Sequence, residues 1–172
     1  MASFGERDSR LIIVRGNSGT GKSTLAAAIR EARPRGIAII GQDQLRREIL
    51  HVRDYPDTPA AGYVDVSVRY ALNCGLHAVV EGILHAAIYG EVLRHLIADH
   101  RGVTRCYRYE MSFEETLRRH ATKANADEFG EVEMREWWRD IDPLPGVAEE
   151  VIGADSPLPH TLRRVLTDCG WT

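Results

Sequence analysis

The chain has 172 residues, a length that a single domain over residues 1–172 accounts for most simply. Its 22 Lys and Arg residues against 25 Asp and Glu residues exclude a general electrostatic attraction to nucleic acid or to an anionic membrane, and favour small soluble partners. Three widely spaced cysteines and the lack of a bilayer-length apolar stretch predict a cytoplasmic protein without a disulfide framework or a membrane segment.

Short apolar runs alternate with longer helical patterns along the chain, an order typical of parallel βαβ units. The apolar runs predict strands over residues 11–14, 36–40, 77–80 and 147–152, and residues 103–110 are also strand-like despite their arginines. The helical patterns cover residues 22–33, 44–50, 61–74, 89–100, 113–122, 131–139 and 158–167. Since crossovers between parallel strands are right-handed, these helices should cover both faces of the sheet. We therefore predict a three-layer αβα fold with a five-stranded parallel sheet, whose ligands bind at the carboxyl ends of the strands.

A phosphate-binding loop is the most specific motif in the sequence. Residues 16–23 match the pattern G-x-x-x-x-G-K-[ST] in full, after a predicted strand and at the start of a predicted helix. Glycines allow backbone N–H groups to point at an anion, and the helix start adds unpaired donors. The residues predicted to bind ATP phosphates are Gly16, Asn17, Ser18, Gly19, Thr20, Gly21, Lys22, Ser23 and Thr24.

Two of these residues have specific predicted roles. Lys22 would neutralise charge on the β- and γ-phosphates, and the Ser23 hydroxyl would bind the Mg²⁺ that bridges the same phosphates. The motif by itself is shared by kinases, GTPases and ATP-driven motors. A guanine-reading N-K-x-D segment is missing from the sequence, so ATP is the expected nucleotide.

Charged residues follow the second and third predicted strands, where an acceptor could face the γ-phosphate. Asp43 lies just beyond the second strand, and its carboxylate could accept a proton from a hydroxyl. The alternative is that Asp43 caps the following helix. Arg46 lies one helical turn later, where it could hold an anionic or polar group of the acceptor. Glu81 ends the third strand and could reach the substrate or orient Mg²⁺ through water.

The D-x-x-R arrangement of Asp43 and Arg46, together with the phosphate-binding loop, resembles the kinase domain of phage-type polynucleotide kinases. The zeta-toxin and chloramphenicol phosphotransferase families are related P-loop NTPases with a similar arrangement. The resemblance extends from the first strand over most of the chain. It implies that Asp43 is the general base and that Arg46 contacts the substrate.

The segment 113–123 is similar to the lid of polynucleotide kinases, a helix that ends in basic residues followed by Thr-Lys. The resemblance implies a helical lid over approximately residues 114–140. Arg118 or Arg119 would contact ATP phosphates or stack on adenine, Arg119 would stabilise the transition state, and Lys123 would add further positive charge. The alternative is a solvent-exposed basic helix face. The resemblance also places residues 155–157 near adenine.

One difference from polynucleotide kinases concerns the end of the lid helix. The family has a further arginine just before its Thr-Lys pair, whereas this chain has His120 and Ala121 there. The resemblance therefore does not specify which lid cation stabilises the transition state, and Arg119 is the candidate that we name for this role.

These features predict a kinase that transfers the ATP γ-phosphate to a hydroxyl of a small molecule such as a nucleoside, sugar, nucleotide sugar or antibiotic. A polynucleotide 5′-hydroxyl kinase, with nucleic acid as its partner, is the alternative enzyme. A nucleotide-binding switch or regulatory ATPase without an acceptor is the alternative from another class. We expect the protein to be a monomer or a homodimer.

Overall fold

The computed structural model describes residues 3–33, 35–122 and 129–171 and is built on a five-stranded parallel sheet. The strands are β1 Arg10–Arg15, β2 Ile37–Gly41, β3 His77–Gly82, β4 Val103–Tyr109 and β5 Glu150–Ile152. Their order in the sheet is β2-β3-β1-β4-β5, and every neighbouring pair is parallel. The predicted five-stranded parallel sheet is confirmed.

Helices cover both faces of the sheet and give the predicted three-layer αβα arrangement. The helical elements are α1 Lys22–Ala32, a π-helix Gln44–Ile49, α2 Pro59–Asn73, α3 Ala86–Asp99, α4 Phe113–His120, α5 Glu131–Trp137 and α6 Leu158–Asp168. Helices α2 and α3 pack on one face of the sheet, and α1 and α6 pack on the other. The fold class predicted from the sequence is therefore confirmed.

The central strand explains why the sheet needs two helical layers. Leu11 and Ile13 of β1 pack into the cluster with α2 and α3, whereas Ile12 and Val14 pack into the cluster with α1 and α6. All four side chains are fully buried. Because successive strand residues face opposite sides, a continuous apolar run is stable only when both faces are covered.

The helix α2 begins two residues earlier than the pattern of apolar residues predicts. Thr58 caps it by accepting a hydrogen bond from the backbone N–H of Ala60, and Pro59 occupies the first helical position. Proline is well suited to this position because its fixed φ is helical and its missing N–H would have no partner in the helix. Helix α3 likewise begins three residues before its predicted start.

The strand β5 and the helix after β2 also differ from the prediction. The strand β5 has only three residues, because residues 144–147 form a turn in which Val147 N–H donates to the carbonyl of Leu144. The helix after β2 is a π-helix, in which the Leu50 N–H donates to the carbonyl of Leu45, five residues earlier.

Within the described ranges, no helix has the length and apolar character needed to cross a bilayer.

Candidate active site

The loop between β1 and α1 is shaped by glycines that other residues could not replace. Gly19 has φ +82°, and a Cβ at this position would lie 2.6 Å from the carbonyl oxygen of Thr116 in α4. The loop therefore passes directly under α4. Gly21 precedes α1 with φ +104°, and no described side chain caps the helix there. The first-turn N–H groups of α1 are thus available to an anion.

Lys22 lies against the inside of this loop. Its side chain is only 8 % exposed, and Nζ donates to the carbonyl of Asn17 at 2.8 Å and to Oγ1 of Thr20 at 3.4 Å. The ammonium group is therefore held beside the backbone groups that would cradle phosphates. Ser18 is half-buried, and Thr24 is exposed on the first turn of α1.

Ser23 and Glu81 meet at the edge of the loop, where Ser23 Oγ donates to Glu81 Oε2 at 3.1 Å. In the sheet, Glu81 lies level with Val14 of β1 and Gly41 of β2. Hydroxyl and carboxylate oxygens are ligands that suit Mg²⁺. No group of three or more His, Cys, Asp or Glu residues in the described ranges could hold a metal ion. Magnesium at this position would therefore depend on Ser23, Glu81, phosphate oxygens and water.

Asp43 follows β2 at the same edge of the sheet and is 68 % exposed. Its Oδ1 accepts a hydrogen bond from a terminal nitrogen of Arg46 at 3.0 Å. The backbone of Asp43 is already helical, with φ −64° and ψ −40°, and its side chain makes no capping hydrogen bond. The structure therefore does not support the capping alternative, and it leaves the carboxylate accessible to an acceptor.

Arg46 has a second acidic neighbour that the sequence did not reveal. Its Nε lies 3.6 Å from Oδ2 of Asp54, and its NH1 donates to the carbonyl of Val52 at 3.3 Å. Asp54 also accepts hydrogen bonds from Tyr89 Oη at 2.6 Å and from Gln42 Nε2 at 2.8 Å. Burial, and then the hydrogen bond to Asp54, raises the pKa of the Tyr89 phenol above its ordinary value of 10.0.

The two lid arginines are placed differently. Arg119 donates from NH1 to the carbonyl of Thr20 at 3.3 Å and from NH2 to the carbonyl of Ala154 at 2.8 Å. Arg119 therefore bridges the phosphate loop and the segment after β5. Arg118 is 70 % exposed and hydrogen-bonds to Glu115, away from the loop. Lys123 lies outside the described residues.

Glu115 holds both arginines through its carboxylate. It accepts from Nε of Arg118 at 2.8 Å and from Nε of Arg119 at 2.6 Å. The hydrogen bonds from Arg118 and Arg119 lower the pKa of Glu115 to about 2. The carboxylate is thus charged at neutral pH and keeps Arg119 directed toward the phosphate loop.

The buried Arg15 directly precedes the phosphate loop, and it was not identified as part of the site from the sequence. Arg15, the last residue of β1, is 1 % exposed and forms ion pairs with Asp142 and Glu149, both at 2.8 Å. It also donates two hydrogen bonds to the carbonyl of Leu84. A charged residue that ends an apolar strand is the sequence signal for this network. Arg15 connects the ends of β1 and β3 with the segment that follows α5.

Solved structures with similar folds include several kinases. No protein-family model and no curated protein matches the sequence. A gluconokinase from Sinorhizobium meliloti is 21% identical, with a TM-score of 0.64 over 96% of this chain and 94% of its own. An APS kinase from Mycobacterium tuberculosis, in complex with AMPPNP and APS, is 18% identical, with a TM-score of 0.66 over 96% and 99%.

A chain of the Pnkp1/Rnl/Hen1 RNA repair complex is also similar. It is 14% identical, with a TM-score of 0.56 over 77% of this chain and 43% of its own. Identities this low establish shared architecture, and the chain has the fold of P-loop kinases.

Proposed function

We propose that this protein is an ATP-dependent kinase that transfers the γ-phosphoryl group of ATP to a hydroxyl of a small molecule. The observation that carries the proposal is the position of Asp43, an exposed carboxylate at the carboxyl end of β2. It lies at the same edge of the sheet as the phosphate loop, where Ser23 already contacts Glu81. A phosphate cradle and an accessible base at one edge are the two parts that phosphoryl transfer requires.

The loop residues would bind and orient the nucleotide. Backbone N–H groups at the start of α1 and the ammonium of Lys22 would hold the β- and γ-phosphates. Magnesium, when bound by Ser23, Glu81 and phosphate oxygens, would supply neutralisation of phosphate charge. Arg119 would add positive charge from the lid side, in exchange for its present bond to the carbonyl of Thr20.

Asp43 would orient the acceptor hydroxyl and accept its proton. A bond forms between the acceptor oxygen and the γ-phosphorus while the bond from that phosphorus to the β–γ bridging oxygen breaks, and ADP leaves. The ion pair with Arg46 fixes the direction of the Asp43 carboxylate. Asp43 is exposed, so Arg46 limits its freedom without burying it.

The helices α4 and α5 of the predicted lid would exclude water from this reaction, and residues 123–128 of that lid lie outside the described residues. Two described contacts support this role, because α4 and α5 both approach the phosphate loop near Gly19. A Cβ there would lie 2.6 Å from Thr116 O and 3.2 Å from Cε of Met134. Water excluded by such a cover cannot compete with the acceptor for the phosphoryl group.

A polynucleotide 5′-hydroxyl kinase is the second candidate function. Two observations favour it: the D-x-x-R pair of Asp43 and Arg46 is joined by a hydrogen bond, and the fold is similar to a chain of the Pnkp1/Rnl/Hen1 RNA repair complex. The net charge of −3 favours a small acceptor instead. The choice of acceptor therefore distinguishes the two activities.

The test is transfer of labelled γ-phosphate from Mg-ATP to nucleosides, sugars, antibiotics and 5′-hydroxyl oligonucleotides. Lys22→Ala should abolish ATP binding, and Asp43→Asn should bind ATP normally but lose at least about 100-fold in turnover. Glu48→Gln changes an exposed carboxylate on the π-helix that follows Asp43; it is the matched control and should stay active. Tight ATP binding without transfer to any acceptor would overturn the proposal in favour of a nucleotide-binding switch.

A further inference from the structure

The guanidinium of Arg46 lies between two carboxylates. One terminal nitrogen donates to Asp43 at 3.0 Å, and Nε lies 3.6 Å from Asp54. The other terminal nitrogen donates to the carbonyl of Val52. The side chain is 19 % exposed, so these contacts are partly shielded from solvent. The positive charge nearest to Asp43 is therefore already compensated within the protein.

Asp54 is held rigidly in this position. Each of its carboxylate oxygens accepts a hydrogen bond, Oδ1 from Tyr89 and Oδ2 from Gln42. Both donors are buried, and Gln42 is itself fixed because its Oε1 accepts from the N–H of Leu84 at 2.8 Å. Asp54 cannot move away from Arg46 without leaving two buried donors unsatisfied, which is costly. The positive charge of Arg46 therefore stays paired with the carboxylate of Asp54.

Carboxylates outnumber the cation in the cluster around Arg46. Asp43 and Asp54 contribute two carboxylates, and Arg46 contributes one guanidinium. Like charges repel one another, so an acceptor that carries an anionic group would be disfavoured next to Asp43 and Asp54.

The remaining cations of the same segment do not reverse this balance. Arg47 and Arg53 are exposed to solvent, where their charges are screened by water and salt. Arg139 donates to the carbonyls of Glu136 and Trp138, close to its own backbone. Among these arginines, Arg46 is the one that contacts Asp43.

We propose that the acceptor is a hydroxyl compound that carries no phosphate, sulfate or carboxylate group, and that Asp54 sets this preference by neutralising Arg46. The inference rests on the proposed kinase function and narrows its substrate class. Asp54 acts here as a specificity-determining residue, because it changes the charge that an acceptor meets without taking part in phosphoryl transfer.

The experiment compares matched acceptors that differ by one anionic group: a nucleoside and its 3′-monophosphate, and glucose and gluconate. For the wild-type protein, kcat/KM should be at least about tenfold higher for the uncharged member of a pair. Asp54→Asn removes the compensating charge, and it should shift the ratio by about tenfold toward the anionic member. Tyr89→Phe keeps the Asp54 carboxylate and removes one of its hydrogen bonds, so the ratio should stay within about twofold of wild type.

Thermal unfolding of each variant verifies that it is folded. Preference of the wild-type protein for anionic acceptors would overturn the inference while leaving the kinase function intact. An unchanged ratio in folded Asp54→Asn would overturn the role of Asp54. Absence of transfer to every member of these pairs and of the wider acceptor panel, with ATP bound, would overturn the kinase function and this inference together.

Discussion

The side-chain amide of Asn17 makes two hydrogen bonds with the backbone of Arg139. Its Nδ2 donates to the Arg139 carbonyl at 2.7 Å, and its Oδ1 accepts from the Arg139 N–H at 3.1 Å. Asn17 belongs to the phosphate loop, whereas Arg139 follows α5, the second helix of the proposed lid. The loop and the end of the lid are thus directly connected, and any opening at this point must break both bonds.

Asn17→Ala should loosen this connection. Loss of two hydrogen bonds, each with a net contribution of about 1 kcal/mol, should increase amide hydrogen exchange at Arg139 by about tenfold or more. Arg139→Ala is the matched control, because the bonds involve only backbone atoms of that residue and should persist. Equal exchange rates in wild type and Asn17→Ala would show that the two hydrogen bonds contribute no net free energy to closing this region.

Arg119 and Arg118 should differ in their importance for turnover. Arg119→Ala removes the contact with the phosphate loop and should lower kcat by about 10- to 100-fold. Arg118→Ala removes an exposed ion pair and should stay within about twofold of wild type. Steady-state kinetics with ATP measure both. A larger loss from Arg118→Ala than from Arg119→Ala would contradict the arrangement of the lid helix.

Glu115→Gln should have an intermediate effect, because it weakens the hold on Arg119 without removing it. We expect a several-fold higher KM for ATP with a smaller change in kcat. Since the pKa of Glu115 is about 2, the wild-type ion pair is intact throughout the neutral range, and the difference between wild type and variant should not depend on pH between 6 and 8. A strong pH dependence in that range would exclude this explanation.

Gly19→Ala tests whether the close approach of α4 requires glycine. The added Cβ would meet a backbone carbonyl at 2.6 Å, at a φ that alanine rarely adopts, and we expect a destabilisation of about 1–3 kcal/mol. Gly62→Ala is the matched control: it lies in α2 with open space around it, and should stabilise the protein by about 0.5–1 kcal/mol. Denaturant unfolding distinguishes the two, and equal effects would refute the steric explanation.

The buried His100 should make stability depend on pH. Burial lowers its pKa from 6.5 to about 4, and its ring nitrogens contact Ser9 and Thr104 at 2.8 Å. Protonation therefore favours the unfolded chain, and stability should be lost as pH falls from about 6.5 toward 4, by up to about 3 kcal/mol.

Urea unfolding of the wild-type protein and of His100→Gln across this pH range measures the effect. The variant should lose less stability on acidification than the wild type, although it is less stable at pH 7. Exposed His160→Gln controls for the removal of a histidine as such. A parallel decline of wild type and His100→Gln would exclude His100 as the cause.

The fold could be predicted because its signals are local. Most strands are short apolar runs, the helices have their own periodicity, and the phosphate-binding motif has fixed spacing. The boundaries that differed depend on capping and hydrogen-bond geometry, as with Thr58 at the start of α2 and the Leu50 N–H bond at the end of the π-helix. These features involve one or two residues and leave no periodic pattern.

The contacts around the site could not be predicted in the same way. Tyr89 meets Asp54 across 35 positions, and Arg15 meets Asp142 across 127 positions. Such pairs depend on the order of strands in the sheet, which sequence periodicity does not specify. The roles predicted for Asp43, Arg46, Glu81 and Arg119 remain predictions that the kinetic experiments will test.

The linkage of Gln42, Asp43, Arg46 and Asp54 within a single stretch of 13 residues has a consequence for protein engineering. In the proposed function, the acceptor side is formed mainly by residues 42–54, and the nucleotide side by residues 16–23, α4 and the segment after β5. Replacing residues 42–54 by the corresponding segment of a related kinase should change the acceptor without changing the residues that bind ATP. The new segment must again accept hydrogen bonds from Tyr89 Oη and from the N–H of Leu84. In the proposed function, acceptor specificity should therefore be transferable by exchanging this one segment.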